Sequence, residues 1–380
     1  MEPIRVLTVF GTRPEAIKMA PLVKALEQAG PAIDSKVCVT AQHRQMLDQV
    51  LEIFHIRPDY DLDIMESRQT LTGISIKALK GLEEVISKVQ PTVVLVHGDT
   101  TTTFVAGLAA FYQQVAIGHV EAGLRTYDKY SPFPEEMNRQ LTGVLADLHF
   151  APTRESARNL LQERKNPDAI FVTGNTAIDA MKTTVRPDYT HPILDSIGRE
   201  QRLVFMTAHR RENIGEKMEN IFHAVRRIVE DNDDVVLVYP VHLNPAVQEP
   251  ARAILGGHPR VHLIDPLDVV DTHNFMSRAY LILTDSGGIQ EEAPSLGVPV
   301  LVLRDTTERP EGIAAGTLKL AGTDEQTVYE LAYELLNDPQ AHRAMSIAAN
   351  PYGDGRASER IVRAILHYYG RGERPDEFEV

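Results

Sequence analysis

Short apolar runs alternate with longer amphipathic segments along the whole chain. Several runs are apolar almost without a break, as expected of strands covered on both faces of a sheet. The predicted strands are 5–10, 36–40, 92–97, 115–119, 148–151, 203–207, 235–240, 261–264, 281–284 and 300–303. The predicted helices are 14–29, 71–89, 101–114, 218–231, 324–336 and 358–369. This alternation predicts an α/β fold with parallel sheets and right-handed crossovers.

A weakly periodic stretch at 180–200, with two prolines and a glycine, divides this pattern into halves. After it the pattern restarts. VFGTRPE at 9–15 and MTAHRREN at 206–213 each pass from a strand through a small residue and basic residues into a helix. A chain of 380 residues also exceeds one ordinary core. We therefore expect two Rossmann-like domains facing across a cleft. Their predicted limits are 1–178, joined by the C-terminal helix 358–380, and 179–357.

Composition narrows the possible partners and location. The net charge of −14, from 53 acidic and 39 basic residues, argues against nucleic acid or an anionic membrane as the main partner. The single cysteine, Cys38, excludes a disulfide framework and a cysteine-rich zinc site within one chain. No secretory signal pattern is present, and no segment approaches the ~18 apolar residues of a membrane span. We expect a cytoplasmic protein.

Several common cofactor motifs are missing from the sequence. No G-x-G-x-x-G follows a strand, and neither a P-loop nor H-E-x-x-H occurs. The D-x-D at 61–63 is of the kind that metal-dependent sugar transferases use, but its loop-like setting favours a solvated acidic turn. A standard dinucleotide fingerprint and a phosphate-binding P-loop are thus both missing.

Three segments at predicted strand ends of the first half could carry chemistry, since ligands of open α/β sheets bind there. At 11–18, free helix N–H groups together with Arg13 and Lys18 could bind an anion, although a capped turn with solvated charges explains the segment equally well. Asp99 and Glu121 follow successive strands, and Glu135 lies in the first turn of a later helix. Asp99 could instead be only a helix cap, and the helix dipole alone would favour Glu135. Three carboxylates near one cleft suit acid/base catalysis.

The second half has a basic and a glycine-rich strand end. His209 stands beside two arginines after its first strand, which is more typical of an anion site than of a structural histidine. At 284–294 a strand runs through two glycines into a helix, so backbone amides there could cradle a phosphate. Glu292 could accept two ribose hydroxyls, and 304–311 adds another basic loop. Together these features predict a nucleotide-diphosphate site.

Long motifs over nearly the whole chain resemble the non-hydrolysing UDP-N-acetylglucosamine 2-epimerases. They are GTRPEAIK at 11–18, TAQHRQML at 40–47, HGDTTT at 97–102, HVEAGLRT at 119–126, PEEMNR at 134–139, TAHRREN at 207–213, TDSGGIQEEAPSLG at 284–297 and RDTTERPEG at 304–312. The resemblance implies a two-domain glycosyltransferase-B-like fold and a homodimer. It also implies interconversion of UDP-GlcNAc and UDP-ManNAc without a nicotinamide or metal cofactor, for bacterial cell-surface polysaccharide precursors.

The resemblance also implies roles for individual residues. The acid/base carboxylates would be Asp99, Glu121 and Glu135, and the essential histidine would be His209. Contacts to the nucleotide sugar and its UDP would come from Arg13, Lys18, Ser286, Gly287, Gly288, Glu292 and Arg309. A second, activating UDP-GlcNAc would contact Gln42, Gln45, Arg68, Arg210 and His242. Leu267 and Thr272 stand where some family members have a glutamine and an aromatic residue, so they are not assigned to the uracil pocket.

The chemistry of a nucleotide sugar favours one route for this reaction. C1 is an acetal carbon, so the C2 hydrogen is not acidic. Inversion then needs a transient ketone or loss of the anomeric leaving group, and the missing dinucleotide motif disfavours the ketone. We expect elimination of UDP to a 2-acetamidoglucal followed by re-addition, with the base and the acid among the carboxylates left unassigned.

Three other functions fit parts of the pattern. A two-domain UDP-sugar glycosyltransferase would use the carboxylates on an acceptor hydroxyl. A hydrolysing epimerase would release free ManNAc and UDP. A non-catalytic nucleotide-sugar sensor would have no need of the intact carboxylates and His209.

Overall fold

The structure is a computed structural model that describes residues 2–41, 44–66 and 69–380. Within these ranges, thirteen strands form two parallel sheets. The strands are β1 Ile4–Phe10, β2 Ile33–Val39, β3 Tyr60–Asp61, β4 Val93–His97, β5 Ala116–Val120, β6 Leu148–Ala151, β7 Ile170–Val172, β8 Arg202–Thr207, β9 Val235–Pro240, β10 Val261–Ile264, β11 Leu281–Thr284, β12 Val300–Val302 and β13 Leu318–Leu320.

Helices connect these strands. They are α1 Arg13–Gln28, α2 Arg44–Ile53, α3 Leu71–Val89, α4 Thr101–Tyr112, α5 Glu135–Leu145, α6 Arg154–Gln162, α7 Thr176–Thr184, α8 Pro192–Ser196, α9 Glu216–Asp231, α10 Pro245–Leu255, α11 Val269–Arg278, α12 Gly287–Glu292, α13 Pro310–Ala314, α14 Glu325–Asn337, α15 Pro339–Ser346 and α16 Ala357–Tyr368. In the part of the chain that is described, no helix has both the length and the apolar character needed to cross a membrane.

The chain divides into two compact units. The first comprises Met1–Lys182 and Gly353–Glu379, and the second Thr183–Tyr352. The sequence analysis set these boundaries after 178 and 357. In the first unit α16 packs against α1, with Ile361 and Ile365 in the same apolar cluster as β1.

The two sheets have corresponding strand orders. The first runs β3-β2-β1-β4-β5-β6-β7 and the second β10-β9-β8-β11-β12-β13. In each, the chain order reverses beside the first strand, between β1 and β4 and between β8 and β11. The crevice outside the carboxyl ends of strands at such a switch point is where open α/β sheets bind ligands.

The apolar pattern predicted the α/β class correctly, and each of its ten predicted strands is a strand of the structure, nine inside the sheets and β10 at an edge. Strands inside the sheets are buried along their whole length, as in Val93–His97 and Leu281–Thr284, whereas β10 is only partly buried. The pattern missed β3, β7 and β13, which are edge strands of two or three residues and offer too few positions to establish a period. β12 is equally short but lies between two strands and is apolar throughout, so it was predicted. Asp61, in the acidic motif at 61–63, ends β3 and forms an ion pair with Arg44.

Candidate active site

A buried carboxylate occupies the first turn of α1. Glu15 Oε2 accepts hydrogen bonds from the amides of Gly11 and Thr12 at 3.0 and 2.8 Å, and its Oε1 accepts one from the Thr100 hydroxyl at 2.7 Å. Burial raises the pKa of Glu15, although these hydrogen bonds oppose the rise. The amides of Gly11 and Thr12, which precede α1, therefore already have an acceptor and are not free for an anion. Arg13 is partly exposed at the same turn.

Glu121 directly follows β5 and lies among polar side chains from three other elements. The Lys18 ammonium forms an ion pair with Glu121 Oε2, and Asn175 Nδ2 donates to the same oxygen at 3.3 Å. Glu121 adopts φ +61, in the left-handed region that side chains other than glycine rarely occupy. A non-glycine residue held in this conformation is a feature that functional sites often have. The two predicted residues Lys18 and Glu121 are thus brought together.

His97 ends β4 beside this carboxylate. Its Nε2 lies 3.7 Å from Glu121 Oε2, and neither ring nitrogen has a hydrogen-bond partner among the described residues. The residue is only 4% exposed, and burial lowers its pKa to about 4. His97 is therefore a neutral imidazole at physiological pH.

Asp99 follows the end of β4 and is held by residues of α5. Arg139 Nη2 donates to Asp99 Oδ2 at 2.6 Å, and Asn138 Nδ2 donates to the Asp99 carbonyl at 2.9 Å. β4 and β5 pair in parallel, so Asp99 and Glu121 emerge from adjacent strand ends. The alternative role of Asp99 as a helix cap is wrong, because Thr100 caps α4 by accepting from the Thr103 amide at 3.1 Å.

Two consecutive glutamates at the start of α5 have different environments. Glu136 is fully buried and accepts from the amides of Thr126 and Tyr127, both at 3.1 Å, and from Gln140 Nε2 at 2.7 Å. Burial acts to raise the pKa of Glu136, but these hydrogen bonds outweigh it and the net pKa is lowered. Glu135 is partly exposed. Glu136 thus fixes the 126–127 loop, while Glu135 remains accessible to a ligand.

His209 and Arg210 follow β8 and are anchored by Asp285 from the end of β11. Both of their backbone amides donate to Asp285 Oδ2, at 2.9 and 2.8 Å. The His209 ring stacks on His242 with centroids 5.7 Å apart. Burial lowers the pKa of His209, and His242 and Arg210 lower it further while Asp285 opposes them.

Two guanidinium groups flank the glycines that begin α12. A Cβ on Gly287 would lie 3.6 Å from Arg309 Nη2 and 3.8 Å from Arg210 Nη2, both ordinary contact distances. Arg309 is oriented by an ion pair with the buried Glu291. Small backbone between two cations suits a phosphate. Two of the predicted UDP contacts, Gly287 and Arg309, are therefore neighbours.

Ser286 and Glu292 each have a partner within the second domain. The Ser286 amide donates to Thr284 Oγ1 at 3.0 Å, so the prediction that it cradles a phosphate is wrong for this amide, although its hydroxyl remains a candidate. Glu292 Oε2 lies 3.2 Å from Nε2 of the buried His273. Gly288 stands beside Glu292, with 3.8 Å from its Cβ position to Glu292 Oε1.

The predicted activator residues are described only in part. Gln45 is exposed on α2, and His242 is exposed beside His209. Gln42 and Arg68 lie outside the described residues. Among the residues that are described, no group of three or more histidine, cysteine, aspartate or glutamate side chains is arranged to hold a metal ion.

Sequence reasoning missed the side chains that orient the predicted ones. These are Arg139, Asn175, His273 and Asp285, while His97 lies beside Glu121 without a hydrogen bond to it. His97, Arg139 and Asp285 lie inside motifs quoted for the resemblance, and a charged residue directly after a buried strand was a usable signal for Asp285. Asn175 and His273 had no local signal, since their partners are distant in sequence.

Comparison with known proteins agrees with this geometry. A family model described as UDP-N-acetylglucosamine 2-epimerase matches residues 24–366. A UDP-N-acetylglucosamine 2-epimerase of Bacillus subtilis (strain 168) is 65% identical over 379 residues, covering 100% of this chain and 99% of that protein. A solved UDP-N-acetylglucosamine 2-epimerase structure has a TM-score of 0.94 at 62% identity, with 100% of both chains covered.

More distant structures extend the comparison. The UDP-GlcNAc 2-epimerase of Neisseria meningitidis, solved bound to UDP-GlcNAc, has a TM-score of 0.85 at 50% identity and covers 96% of this chain and 100% of its own. A sucrose-phosphate synthase from Thermosynechococcus elongatus has a TM-score of 0.66 at 12% identity, with 96% and 99% covered. The second likeness shows the fold alone, which is that of glycosyltransferase-B enzymes. The motifs, the polar residues at the strand ends and these matches together show that the chain belongs to the UDP-N-acetylglucosamine 2-epimerase family of isomerases.

Proposed function

We propose that this protein interconverts UDP-GlcNAc and UDP-ManNAc by inverting C2, without hydrolysis and without a redox or metal cofactor. One observation carries the proposal. Asp99 and Glu121 emerge from adjacent strand ends, and each is paired with a cation, Arg139 and Lys18. Inversion requires a proton to leave one face of C2 and another to arrive at the opposite face. Two separately held carboxylates, with Glu135 as a third, suit that task.

The proposed reaction balances through elimination and re-addition. A carboxylate takes the proton from C2, and the C2–H electron pair forms the C1–C2 double bond. The C1–O bond breaks, and its electrons leave on the β-phosphate oxygen of UDP. UDP then adds back to C1 of the 2-acetamidoglucal while a proton joins C2 from the other face. Which carboxylate serves each face is left open.

The second domain is proposed to hold the UDP moiety. Arg210 and Arg309 flank Gly287, so negative charge developing on the leaving diphosphate would meet two guanidinium groups. The Neisseria meningitidis relative was solved with UDP-GlcNAc bound, which supports the same substrate here. Glu292 would accept from the ribose hydroxyls, and Ser286 and Gly288 would line the same site. In the first domain, Arg13 would contact the nucleotide sugar beside Lys18.

A second UDP-GlcNAc is proposed to act as an activator through Gln45, Arg210 and His242, together with Gln42 and Arg68. The stacking of His242 on His209 supports this proposal, because a ligand that moved His242 would disturb His209 directly. In the cell, the product would enter cell-surface polysaccharide synthesis. The cytoplasmic location stays a prediction.

We further infer a homodimer. Apolar side chains are exposed on α3, α4 and α5, and α4 packs against both of its neighbours. These side chains are Ile76, Phe111, Tyr112, Leu141 and Val144. Exposed apolar side chains on neighbouring helices are typical of an interface, and a second copy of the chain is the occupant that the family resemblance implies.

Incubation with UDP-GlcNAc alone in deuterated buffer tests the reaction. NMR should follow the sugar C1 and C2 signals until UDP-ManNAc reaches a constant ratio, with deuterium at C2 in both epimers. Product that retains its original C2 hydrogen would exclude elimination. Free ManNAc with UDP would indicate a hydrolysing epimerase. No change until an acceptor is added would indicate a glycosyltransferase, and tight binding without turnover would indicate a sensor.

A further inference from the structure

Asp285 organises the loop that carries His209. It follows β11 directly and is fully buried. Its Oδ2 accepts three hydrogen bonds, from the amides of His209 and Arg210 at 2.9 and 2.8 Å and from Asn213 Nδ2 at 3.2 Å. These bonds fix the backbone on which the His209 ring is mounted.

The other carboxylate oxygen has a different environment. Asp285 Oδ1 is buried and has no hydrogen-bond partner among the described residues. Nδ1 of His209 lies 3.7 Å away. A buried carboxylate oxygen without a donor is costly, so a small rotation of the imidazole that closes this gap would be favourable. The geometry thus supplies an acceptor for one particular nitrogen of His209.

The remaining surroundings limit how His209 can turn. Its ring is nearly parallel to that of His242, at an interplanar angle of 14°. His242 Nδ1 accepts from the Asn244 amide at 3.1 Å, which fixes the orientation of the His242 ring. With Nδ1 directed at Asp285 and one face against His242, Nε2 is the nitrogen of His209 left for a ligand.

We propose that Asp285 is the positioning residue of His209. Its Oδ1 accepts the Nδ1–H, which selects the tautomer that presents an unprotonated Nε2 and stabilises the imidazolium formed when Nε2 takes a proton. Resting on the proposed function, this lets Nε2 carry a proton to or from the β-phosphate of UDP as the C1–O bond breaks or forms. A partly exposed histidine beside Arg210 and His242 would otherwise resist protonation, because both neighbours and burial lower its pKa.

Asp285→Asn tests the tautomer. The amide oxygen can replace Oδ2 and keep the three loop bonds, while the NH₂ group then faces His209 Nδ1. A donor in that position forces Nδ1 to accept, so the proton moves to Nε2. We expect kcat to fall by ~10²-fold or more with KM changed by less than ~3-fold, as when the carboxylate behind a catalytic histidine is replaced by an amide. In ¹⁵N-histidine spectra, His209 Nδ1 should change from a protonated to an unprotonated shift.

Asn213→Ala is the matched control. It removes one of the three loop bonds to Asp285 but leaves the Oδ1 and Nδ1 pair in place. We expect a lower Tm with the His209 tautomer unchanged and a kcat loss much smaller than in Asp285→Asn. Equal kcat losses in the two variants, with one tautomer throughout, would overturn the proposal and leave Asp285 as a loop anchor.

The tautomer of the unmodified, ligand-free protein is an independent measurement. Its His209 should show a protonated Nδ1 and an unprotonated Nε2 at neutral pH, and the reverse would overturn the proposal even if Asp285→Asn fails to fold. This spectrum does not depend on turnover. If the expected tautomer is found but no epimerisation occurs, the result counts against the proposed function and not against the role of Asp285.

Discussion

Lys18 and Glu121 are 103 residues apart in the sequence, and their ion pair links two of the predicted residues of the first domain. Lys18 lies one turn into α1, while Glu121 follows β5. The pair forms because β1 and β5 both flank β4, so that their carboxyl ends share one edge of the sheet. At the scale of single residues, the charged partner of Glu121 is thus supplied by a different element.

Replacement of Lys18 by methionine should lower kcat by ~10²-fold, because the ionised form of Glu121 loses its cation. Steady-state kinetics and the rate of deuterium uptake at C2 measure this. Lys24→Met is the control, since Lys24 lies on the same helix and, among the described residues, pairs with two surface groups, Glu27 and the His55 carbonyl. Equal kinetics for the Lys18 variant and the unmodified protein would remove Lys18 from the mechanism.

Glu135 and Glu136 are adjacent in the first turn of α5 but have different environments. Consecutive helical side chains point ~100° apart, so one glutamate enters the interior and the next stays accessible. Glu136 is committed to two loop amides and Gln140, whereas Glu135 is not buried. The element therefore separates a structural carboxylate from a candidate catalytic one.

A pair of isosteric variants tests this separation. Glu135→Gln should lower kcat by ~10²-fold and leave Tm unchanged. Glu136→Gln should lower the unfolding free energy by ~1–3 kcal/mol, because one oxygen that accepts becomes an NH₂ group facing a donor. Thermal unfolding and steady-state kinetics on both variants measure the two effects. A Tm loss in Glu135→Gln as large as in Glu136→Gln would contradict this division.

For the whole molecule, buried neutral histidines make stability depend on pH. Burial lowers the pKa of His97 and His149 to about 4 and that of His119 to about 3, all in the first domain. Their ordinary value is 6.5, so below that pH the unfolded chain binds protons that the folded chain does not. Their contribution to stability is present above pH 6.5 and is lost as the pH falls.

His119→Asn isolates one of these groups. His119 contacts the Gly98 carbonyl through Nε2, and asparagine also offers a donor but does not titrate. Between pH 6.5 and 4, the slope of unfolding free energy against pH should fall by up to ~1.4 kcal/mol per pH unit in the variant. Denaturant unfolding at several pH values measures it. Glu15, whose pKa burial raises, acts in the opposite sense in both proteins and cancels in the comparison. Identical slopes would contradict a neutral buried His119.

Assembly is the other property at the scale of the molecule. Val144 on α5 is 70% exposed among other exposed apolar side chains of α3–α5. Val144→Asp should shift a dimer toward the monomer, because a charge in an apolar interface loses its hydration. Light scattering coupled to size-exclusion chromatography measures the mass. Ile347→Asp is the control, because Ile347 is 72% exposed in the second domain, outside the proposed interface. A monomeric unmodified protein would refute the dimer.

The sequence by itself determined what depends on neighbours along the chain. Apolar runs predicted the strands inside each sheet, because a strand buried on both faces must be apolar throughout. Strand-end motifs brought the candidate site residues of each sheet to one edge, because parallel strands bring their carboxyl ends together there. Short edge strands such as β3 carried too few residues to be recognised.

Tertiary structure alone decided which predicted groups are paired and which are already used. The amides of Gly11 and Thr12 are occupied by Glu15, and the Ser286 amide by Thr284. Asp285 reaches His209 across two paired strands, 76 residues apart in sequence. Such partnerships depend on strand order and side-chain direction. Neither leaves a local pattern, because the residues meet only after each sheet has formed.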